Sequence, residues 1–177
     1  MHINFSIIIP TWNRKERLSE LINRVIEINK NYLNYEIIVC DSNSSDGTEK
    51  TIESIKKNNP NANIKLKHAI YNNVSQKRNI GILNAKFDHI ILIDDDCLPE
   101  KDFFNNYSQL VSANVGKKII FSGMYKTDKN KIKSSNYYRY RDSRNYKIKS
   151  NHLENFENID FWHIVTGNLC FEKNLVF

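Results

Sequence analysis

The stretch HIILIDDDCLPEKDF, residues 89–103, joins an apolar run to a cluster of three acids. Residues 90–93 are all Ile or Leu, as in a short buried strand. Asp94, Asp95 and Asp96 follow directly. Adjacent carboxylates repel one another and are partly desolvated at a strand end, so the cluster is unfavourable unless a cation or several hydrogen-bond donors compensate it. The sequence therefore predicts a positively charged partner at this strand end.

Apolar strands and amphipathic helices alternate on both sides of this stretch. Further strands are predicted at residues 5–9, 35–40 and 117–123, with an edge strand beginning at residue 63. Helices are predicted through residues 18–26, 52–55, 75–85 and 103–111, and Asp46 with Glu49 predicts a capping box at the start of the second helix. Such alternation requires crossover connections. The fold class is therefore α/β, a single domain whose mostly parallel sheet has helices on both faces.

Three polar motifs follow strands of this predicted sheet. They are PTWN at residues 10–13, DSNSSD at residues 41–46 and DDD at residues 94–96. Ligands of open α/β sheets bind outside the carboxyl ends of the strands. We therefore expect the three motifs to lie along one edge of the sheet.

Two carboxylates separated by one residue suit a hard divalent cation. On a rigid strand end they can bind Mg²⁺ or Mn²⁺ and leave coordination positions for the phosphates of a substrate. A metal held in this way would neutralise a diphosphate leaving group. The alternative is that the acids only cap the following helix, for which one acid would suffice.

Three other side chains have both a binding and a structural interpretation. Trp12 is either a platform on which a flat base stacks or a partly buried aromatic residue. Asp41 either accepts hydrogen bonds from a base or ribose, or shapes the turn that follows it. Arg78 either contacts phosphate or base oxygens, or pairs with one of the aspartates.

The motifs in order resemble a known family. SIIIPTWNR, EIIVCDSNSSDGT, SQKRNIGILNA, HIILIDDDCLPE and VTGNLCFEKNLVF are similar to those of the nucleotide-diphospho-sugar glycosyltransferases of GT-A fold, family 2 type. The similarity covers residues 3–123 and resumes near Ile164. It implies a Rossmann-like single domain and the metal-assisted, inverting transfer of a sugar from a nucleoside diphosphate, a UDP-sugar, to a hydroxyl acceptor. It also implies Mn²⁺ or Mg²⁺ as cofactor.

The resemblance implies roles for particular residues. The donor nucleotide would be bound by Pro10, Thr11, Trp12, Asp41, Arg78, Asp94 and Asp95. Within this set Pro10, Thr11 and Trp12 border the base. Asp41 accepts a hydrogen bond from the base, and Arg78 contacts the base or a phosphate.

The same resemblance implies the metal and sugar sites. Asp96 is the direct metal ligand and Asp94 lies nearer the ribose, while Gly167 and Asn168 line the donor sugar and acceptor. His163 is left out of the metal set, because a lone histidine beside aromatic residues is more often structural.

The resemblance also predicts that the chain is truncated at its C-terminus. Family members follow the Gly-Asn loop with a segment that carries the general base, and only nine residues follow Asn168 here. The catalytic residue is therefore unknown, and the base is expected beyond Phe177. The alternative is a donor-binding fragment without turnover.

The net charge of +6 is compatible with a polyanionic partner, although a lysine bias spread along the chain is the favoured interpretation. Residues 124–163 are predicted to be a basic, Tyr-rich insert or acceptor-side loop. Alternatively, this segment is a module that binds nucleic acid or a membrane surface. Nucleic acid is the less expected of these two partners.

Location and partners follow from the same analysis. No apolar run approaches the ~18 residues of a membrane span, and no signal peptide is recognisable. A cytoplasmic protein is expected, with peripheral contact at the inner face of the membrane as an option. The acceptor would be a saccharide, a lipid-linked saccharide or a protein, and polysaccharide biosynthesis is the expected process.

The three cysteines, Cys40, Cys97 and Cys170, are expected to be reduced thiols in the core.

Overall fold

The computed structural model describes residues 3–30, 34–152, 164 and 166–176, with side chains given outside residues 145–152. Its strands are β1 (Phe5–Thr11), β2 (Tyr35–Asp41), β3 (Ile64–His68), β4 (His89–Ile93), β5 (Ile120–Ser122) and β6 (Asn168–Glu172). Its helices are α1 (Lys15–Ile28), α2 (Thr48–Asn58), α3 (Val74–Leu83), α4 (Phe103–Ala113), α5 (Lys129–Ser134) and α6 (Asn136–His152), and a 3₁₀ turn spans Lys173–Leu175.

The strands of the described chain form one sheet in the order β3-β2-β1-β4-β6-β5. Strands β1 to β4 are mutually parallel, and β6 runs antiparallel to its neighbours β4 and β5. The predicted mostly parallel α/β fold is confirmed, and β3 is the edge strand expected at Ile64. Strand β6 was not predicted, because a run as short as NLCFE carries no periodicity that separates a strand from a loop.

Helices cover both faces of the sheet, as the alternation predicts. One core cluster packs α1, α2 and α4 against the sheet through Leu21, Ile52 and Phe104. The other joins Ile82 of α3 to Ile8 and the opposite face. Apolar residues occupy both faces of the central strands, as expected for a parallel sheet buried between helices.

Helix α3 lies unusually close to the sheet at Gly81. A Cβ built on this glycine would collide with Cγ2 of Ile8, and the Cys40 sulfur lies near the same point. Only a glycine allows this approach. The contact fixes the height of α3 above β1, and therefore the position of Arg78 one turn earlier.

One local prediction differs from the structure. The capping box at Asp46 is wrong: α2 begins at Thr48 with Gly47 at the N-cap position and φ of 90°. The Asp46 carboxylate instead accepts hydrogen bonds from the Thr48 N–H and from the N–H of Lys15. The carboxylate thereby joins the starts of α1 and α2.

The segment predicted as an insert or loop contains α5 and α6 in its described part, residues 124–152. Residues 153–163 lie outside the described chain. Within the described residues, no helix is both long enough and apolar enough to cross a bilayer.

Candidate functional site

The three polar motifs meet at the carboxyl ends of β1, β2 and β4, an edge of the sheet that we call the rim. From β1 the chain runs outward to β2 and β3 on one side and then crosses back to β4 on the other side of β1, so the strand order reverses between β1 and β4. A crevice at such a switch point is where open α/β sheets bind ligands. Ile8 pairs with Leu92, and three residues further on Thr11 Oγ1 donates to Asp95 Oδ2 at 2.8 Å. This bond joins the PTWN and DDD motifs.

The three consecutive aspartates point in different directions. Asp95 is 5% exposed and faces inward to Thr11. The side chains of Asp94 and Asp96 are 38% and 41% exposed. Two carboxylates therefore reach the open rim, and the central one anchors the cluster from below. The following helix, α4, begins only at Phe103, so the acids do not cap it.

Arginines supply the positive charge that the sequence predicts. Arg14 Nη1 lies 2.9 Å from Asp95 Oδ1 and 3.4 Å from Asp96 Oδ2. Arg17 Nη1 lies 3.7 Å from the same Asp96 oxygen. On the other side, Arg78 Nη2 donates to Asp94 Oδ1 at 2.7 Å. The acid cluster is thus placed between guanidinium groups from α3 and from the start of α1.

The electrostatics of the cluster follow from burial and from these pairs. Burial raises the pKa of Asp95 above that of an ordinary aspartate, and hydrogen bonds from Thr11 and Arg14 only partly offset this. The pKa of Arg14 is raised by its hydrogen bond and charge attraction to Asp95. Arg14 therefore stays charged, and it is the counterion of Asp95, the most buried acid of the cluster.

The PTWN and DSNSSD loops are hydrogen-bonded to each other. The N–H of Asn13 donates to Ser44 Oγ at 2.8 Å, and the N–H of Ser45 donates to Asn13 Oδ1 at 2.8 Å. Trp12 beside them is 46% exposed. The loops thus fix the backbone on both sides of an indole that remains open to a ligand.

Asp41 is 3% exposed and lies in register with Thr11 at the ends of β2 and β1. Its carboxylate accepts hydrogen bonds from the Ser44 N–H and hydroxyl. The structure therefore supports the turn-forming interpretation of Asp41, and its contact with a base stays a prediction.

Lys77 is a buried cation that the sequence analysis missed. It is 2% exposed, and its Nζ donates to the Thr11 carbonyl and to Asn72 Oδ1, each at 2.9 Å. Burial lowers its pKa, although the nearby charges of Asp41 and Asp95 oppose this shift. The sequence indication of a buried Lys77 was its position directly before Arg78. Neighbouring residues of a helix point to different sides, so when Arg78 faces the rim, Lys77 faces the sheet.

Gly167 and Asn168 reach the rim from β6. The Gly167 carbonyl accepts from the N–H of Asp94 at 3.2 Å, and a Cβ on Gly167 would collide with the Asp94 carboxylate and the Tyr125 hydroxyl. Asn168 is 8% exposed, and its Oδ1 accepts from the Tyr107 hydroxyl at 2.7 Å. Gly167 thus packs directly against the acid cluster.

Tyr125 and Cys97 line the same corner, and no sequence pattern indicated Tyr125. Burial, with the negative charge of Asp94, raises the pKa of Tyr125. Burial and the charge of Asp96 raise the pKa of Cys97 to about 12. Both groups are therefore neutral near pH 7 beside the exposed carboxylates.

The structure brings nearly all the predicted site residues to one rim. Pro10 and Thr11 are buried at the end of β1, Arg78 is half-buried, and Trp12 and Asp96 are exposed. Among the described residues no group of three or more His, Cys, Asp or Glu is arranged to hold a metal; Asp94 and Asp96 contribute two carboxylates. His163 lies outside the described residues.

Comparison with known proteins identifies the class of protein that this fold and site define. The sequence model of glycosyl transferase family 2 matches residues 6–173. The chain belongs to this family.

Relatives and solved structures agree with that assignment. The chain is 35% identical over 109 residues to a dolichyl N-acetyl-alpha-D-glucosaminyl phosphate 3-beta-D-2,3-diacetamido-2,3-dideoxy-beta-D-glucuronosyltransferase of Methanococcus voltae, covering 59% of this chain and 33% of the relative. It is 32% identical over 119 residues to the poly(ribitol-phosphate) beta-N-acetylglucosaminyltransferase TarP of Staphylococcus aureus, covering 63% and 36%.

Among solved structures, a mannosyltransferase of Pyrobaculum calidifontis in complex with GDP-Man and Mn²⁺ superposes with a TM-score of 0.63 at 22% identity, over 72% of this chain and 37% of that one. S. aureus TarS 1-349 in complex with UDP gives 0.63 at 21% identity, over 73% and 37%. These structures share the fold. The chain thus spans about a third of the length of these relatives.

Proposed function

We propose that the rim binds a nucleoside diphosphate sugar, with UDP as the nucleotide, and that the protein transfers the sugar to a hydroxyl acceptor with inversion. The observation that carries the proposal is the alternation in the DDD motif: Asp94 and Asp96 reach the rim while Asp95 is held inward. The buried Asp95 fixes the backbone between the other two acids, so two carboxylates one residue apart are available at the rim to a cation and phosphates. The TarS complex with UDP supports this choice of nucleotide.

The nucleotide would lie across the switch point between β1 and β4. The exposed indole of Trp12 offers a stacking surface for the base, and Asp41 lies at the neighbouring strand end. Arg78 and Arg14 hold charges that suit phosphate oxygens, because a guanidinium forms bidentate hydrogen bonds with them. On binding, these arginines would exchange an aspartate partner for the diphosphate.

The acids fit a divalent metal at this place. Asp94 and Asp96 are exposed, are separated by one residue, and supply two carboxylates, which is the number that Mg²⁺ commonly takes from protein when substrate phosphates complete its shell. A bound Mg²⁺ or Mn²⁺ would neutralise the charge that develops on the departing diphosphate. The complex of the Pyrobaculum enzyme with GDP-Man and Mn²⁺ supports the assignment.

The acceptor would approach from the side of Gly167 and Asn168. The names of the relatives include lipid-linked acceptors, such as a diphospho-undecaprenol saccharide in Campylobacter jejuni. We propose an acceptor of this lipid-linked class. The general base is not assigned to any described residue.

Calorimetric titration of UDP in the presence and absence of Mn²⁺ tests the proposal. Wild-type protein should bind UDP more tightly with Mn²⁺, and Asp96→Asn should remove this gain, lowering the Mn²⁺-dependent affinity about tenfold or more. GDP titrated in parallel should bind more weakly than UDP.

Asp88→Asn is the matched control. Asp88 is exposed and lies at the opposite end of β4, so the same change of charge should leave the affinity unaltered. The absence of UDP binding to the wild type, or Mn²⁺-dependent binding that persists in Asp96→Asn, would contradict the proposal.

A further inference from the structure

The segment from Lys126 to Lys149 carries the entire charge excess of the chain. It contains nine Lys or Arg residues and two acids, a net charge of +7, whereas the whole chain has +6. The remaining residues therefore have a net charge of −1, because acids balance the lysines that are spread along the rest of the chain. Clusters of about four to eight basic residues on one helix are typical of segments that bind anionic lipids.

One side of α6 packs on α5 and the other side is free among the described residues. Lys131 Nζ of α5 lies 5.7 Å from the ring centroid of Tyr138, which is half-buried. On the outer side Tyr137 and Tyr140 are 61% and 66% exposed. With the exposed Arg141 and Arg144 they follow i, i+3, i+4, i+7 spacing, which places them on one helical face. We call residues 137, 140, 141 and 144 the Tyr–Arg face.

We propose that the Tyr–Arg face binds the anionic surface of a lipid bilayer. Guanidinium groups bind the phosphates of lipid headgroups. Tyrosine has an apolar ring and a polar hydroxyl, and therefore suits a boundary that is apolar on one side and wet on the other. The segment from Lys126 to Lys149 has only two aliphatic residues, Ile132 and Ile148, so the helix would lie at the headgroups without deep insertion.

The ring contacts favour a lipid surface over nucleic acid. The Arg141 guanidinium lies 5.9 Å from the Tyr137 ring centroid, and the Tyr138 ring packs on Tyr137 at 5.4 Å and 70°. Base stacking on single strands needs an open ring face. Here the Arg141 guanidinium lies over the Tyr137 ring and the Tyr138 ring packs against it, so the Tyr137 ring is less available for stacking than a ring without such contacts.

The segment is attached at the rim. It begins just after β5, where the Gly123 N–H donates to the Asn168 carbonyl at 2.9 Å, and Lys126 pairs with Glu100 at 2.8 Å. The segment that carries the Tyr–Arg face thus leaves the sheet at the rim, beside the site proposed for the donor and acceptor. The link to a lipid-linked acceptor rests on the proposed function, whereas the binding itself requires neither donor nor metal.

Flotation of the full chain with vesicles tests the inference without any nucleotide. Vesicles of mixed phosphatidylglycerol and phosphatidylcholine should carry the protein upward, and phosphatidylcholine vesicles should not. Because each basic residue near an anionic surface contributes about a factor of five, Arg141→Gln with Arg144→Gln should weaken binding about thirtyfold. Raising the salt from about 0.05 M to about 0.5 M should also release the protein.

The control is Lys56→Gln with Lys57→Gln, which removes the same charge from exposed positions of α2 and should leave flotation unchanged. A second variant, Tyr137→Ser with Tyr140→Ser, keeps all charges and should also weaken binding. The inference is overturned if the wild type does not float at low salt, whether or not it binds a generic single-stranded oligonucleotide, if phosphatidylcholine vesicles carry it equally well, or if the control loses as much binding as the arginine variant. UDP titration of the same variants should be normal, so failure here is distinguishable from failure of the donor site.

Discussion

At the scale of residues, the rim depends on two buried charged groups. Asp95 and Lys77 are 5% and 2% exposed and lie beneath the exposed acids and Trp12. Thr11 contacts both, because its hydroxyl donates to Asp95 and its carbonyl accepts from Lys77. A buried charge is tolerated only when it is paired and hydrogen-bonded. The two charges therefore hold the end of β1 in one arrangement.

Replacement of Lys77 by Met should weaken both the fold and the site. The change keeps the length of the side chain but leaves the Thr11 carbonyl without its donor and removes the cation near Asp41 and Asp95. Loss of one partner of a buried polar contact costs about 1–3 kcal/mol. Urea unfolding should show a loss of this size, and UDP should bind less tightly. An unchanged midpoint in Lys77→Met would contradict the role given to this ammonium group.

Gly167→Ala should impair donor binding while the protein stays folded. The added methyl would collide with the Asp94 carboxylate and the Tyr125 hydroxyl, so Asp94 must move from the position where it pairs with Arg78. We expect the Mn²⁺-dependent affinity for UDP to fall about tenfold.

Gly47→Ala gives the contrasting result. Its φ of 90° strains any L residue, yet nothing lies within contact of the added methyl, so it should cost about 1 kcal/mol of stability and leave UDP affinity unchanged. Equal affinities for Gly167→Ala and wild type would contradict the proposed place of Asp94.

At the scale of elements, helix α3 is the part that aligns the site. It carries Lys77 and Arg78 on successive positions and packs on β1 through Gly81. The close approach at Gly81 brings the helix near enough for Lys77 to reach the Thr11 carbonyl. Sequence periodicity alone gives no such distance, because it reports only which face of a helix is apolar.

Gly81→Ala should destabilise the protein even though alanine is the better helix former. Alanine gains about 1 kcal/mol in helix propensity, but its methyl would collide with the buried Ile8 side chain. Overpacking of a filled core costs about 1–3 kcal/mol. Chemical unfolding should therefore give a lower midpoint for Gly81→Ala. Ser75→Ala in the exposed first turn of the same helix is the control and should change the midpoint little. A higher midpoint for Gly81→Ala would contradict the prediction and would show that the Ile8 side chain moves to make room for the methyl.

The elements show what sequence could and could not predict. Strands β1, β2 and β4 were predicted because their apolar runs end sharply in Pro or Asp. Strand β6 and the start of α2 were not, since NLCFE is short and the Asp46 side chain bonds to the N–H of Lys15 in another helix. Placement of the three polar motifs at one rim followed from the parallel sheet. The inward turn of Asp95 and the partners of Arg14 depend on contacts between distant segments, which sequence order does not contain.

At the scale of the whole molecule, charge is divided between the two ends of the sheet. The carboxyl end holds the acid cluster with its arginines. At the amino end of β2, Glu36 is fully buried and accepts hydrogen bonds from Ser6 Oγ at 2.6 Å and from the Lys86 N–H at 2.5 Å, with Lys65 Nζ at 2.6 Å. These contacts join β1, β2, β3 and the turn before β4. Titration of Glu36 is therefore felt by the sheet as a whole.

The acid stability of the protein should depend on Glu36. Burial alone would raise its pKa, but hydrogen bonds from Lys65, Ser6 and Lys86 outweigh this and lower the pKa below that of an ordinary glutamate. The contribution of Glu36 is therefore complete above the unfolded pKa of about 4.3 and is lost as the pH falls through the lower folded value. Asp95, whose pKa is raised, has the opposite effect and cannot account for acid unfolding.

The free energy of unfolding, measured with urea from neutral pH to about pH 3, should fall less steeply for Glu36→Gln than for wild type. Glu53→Gln, exposed on α2, should keep the wild-type slope; equal slopes for Glu36→Gln and wild type would mean that Glu36 does not govern acid unfolding.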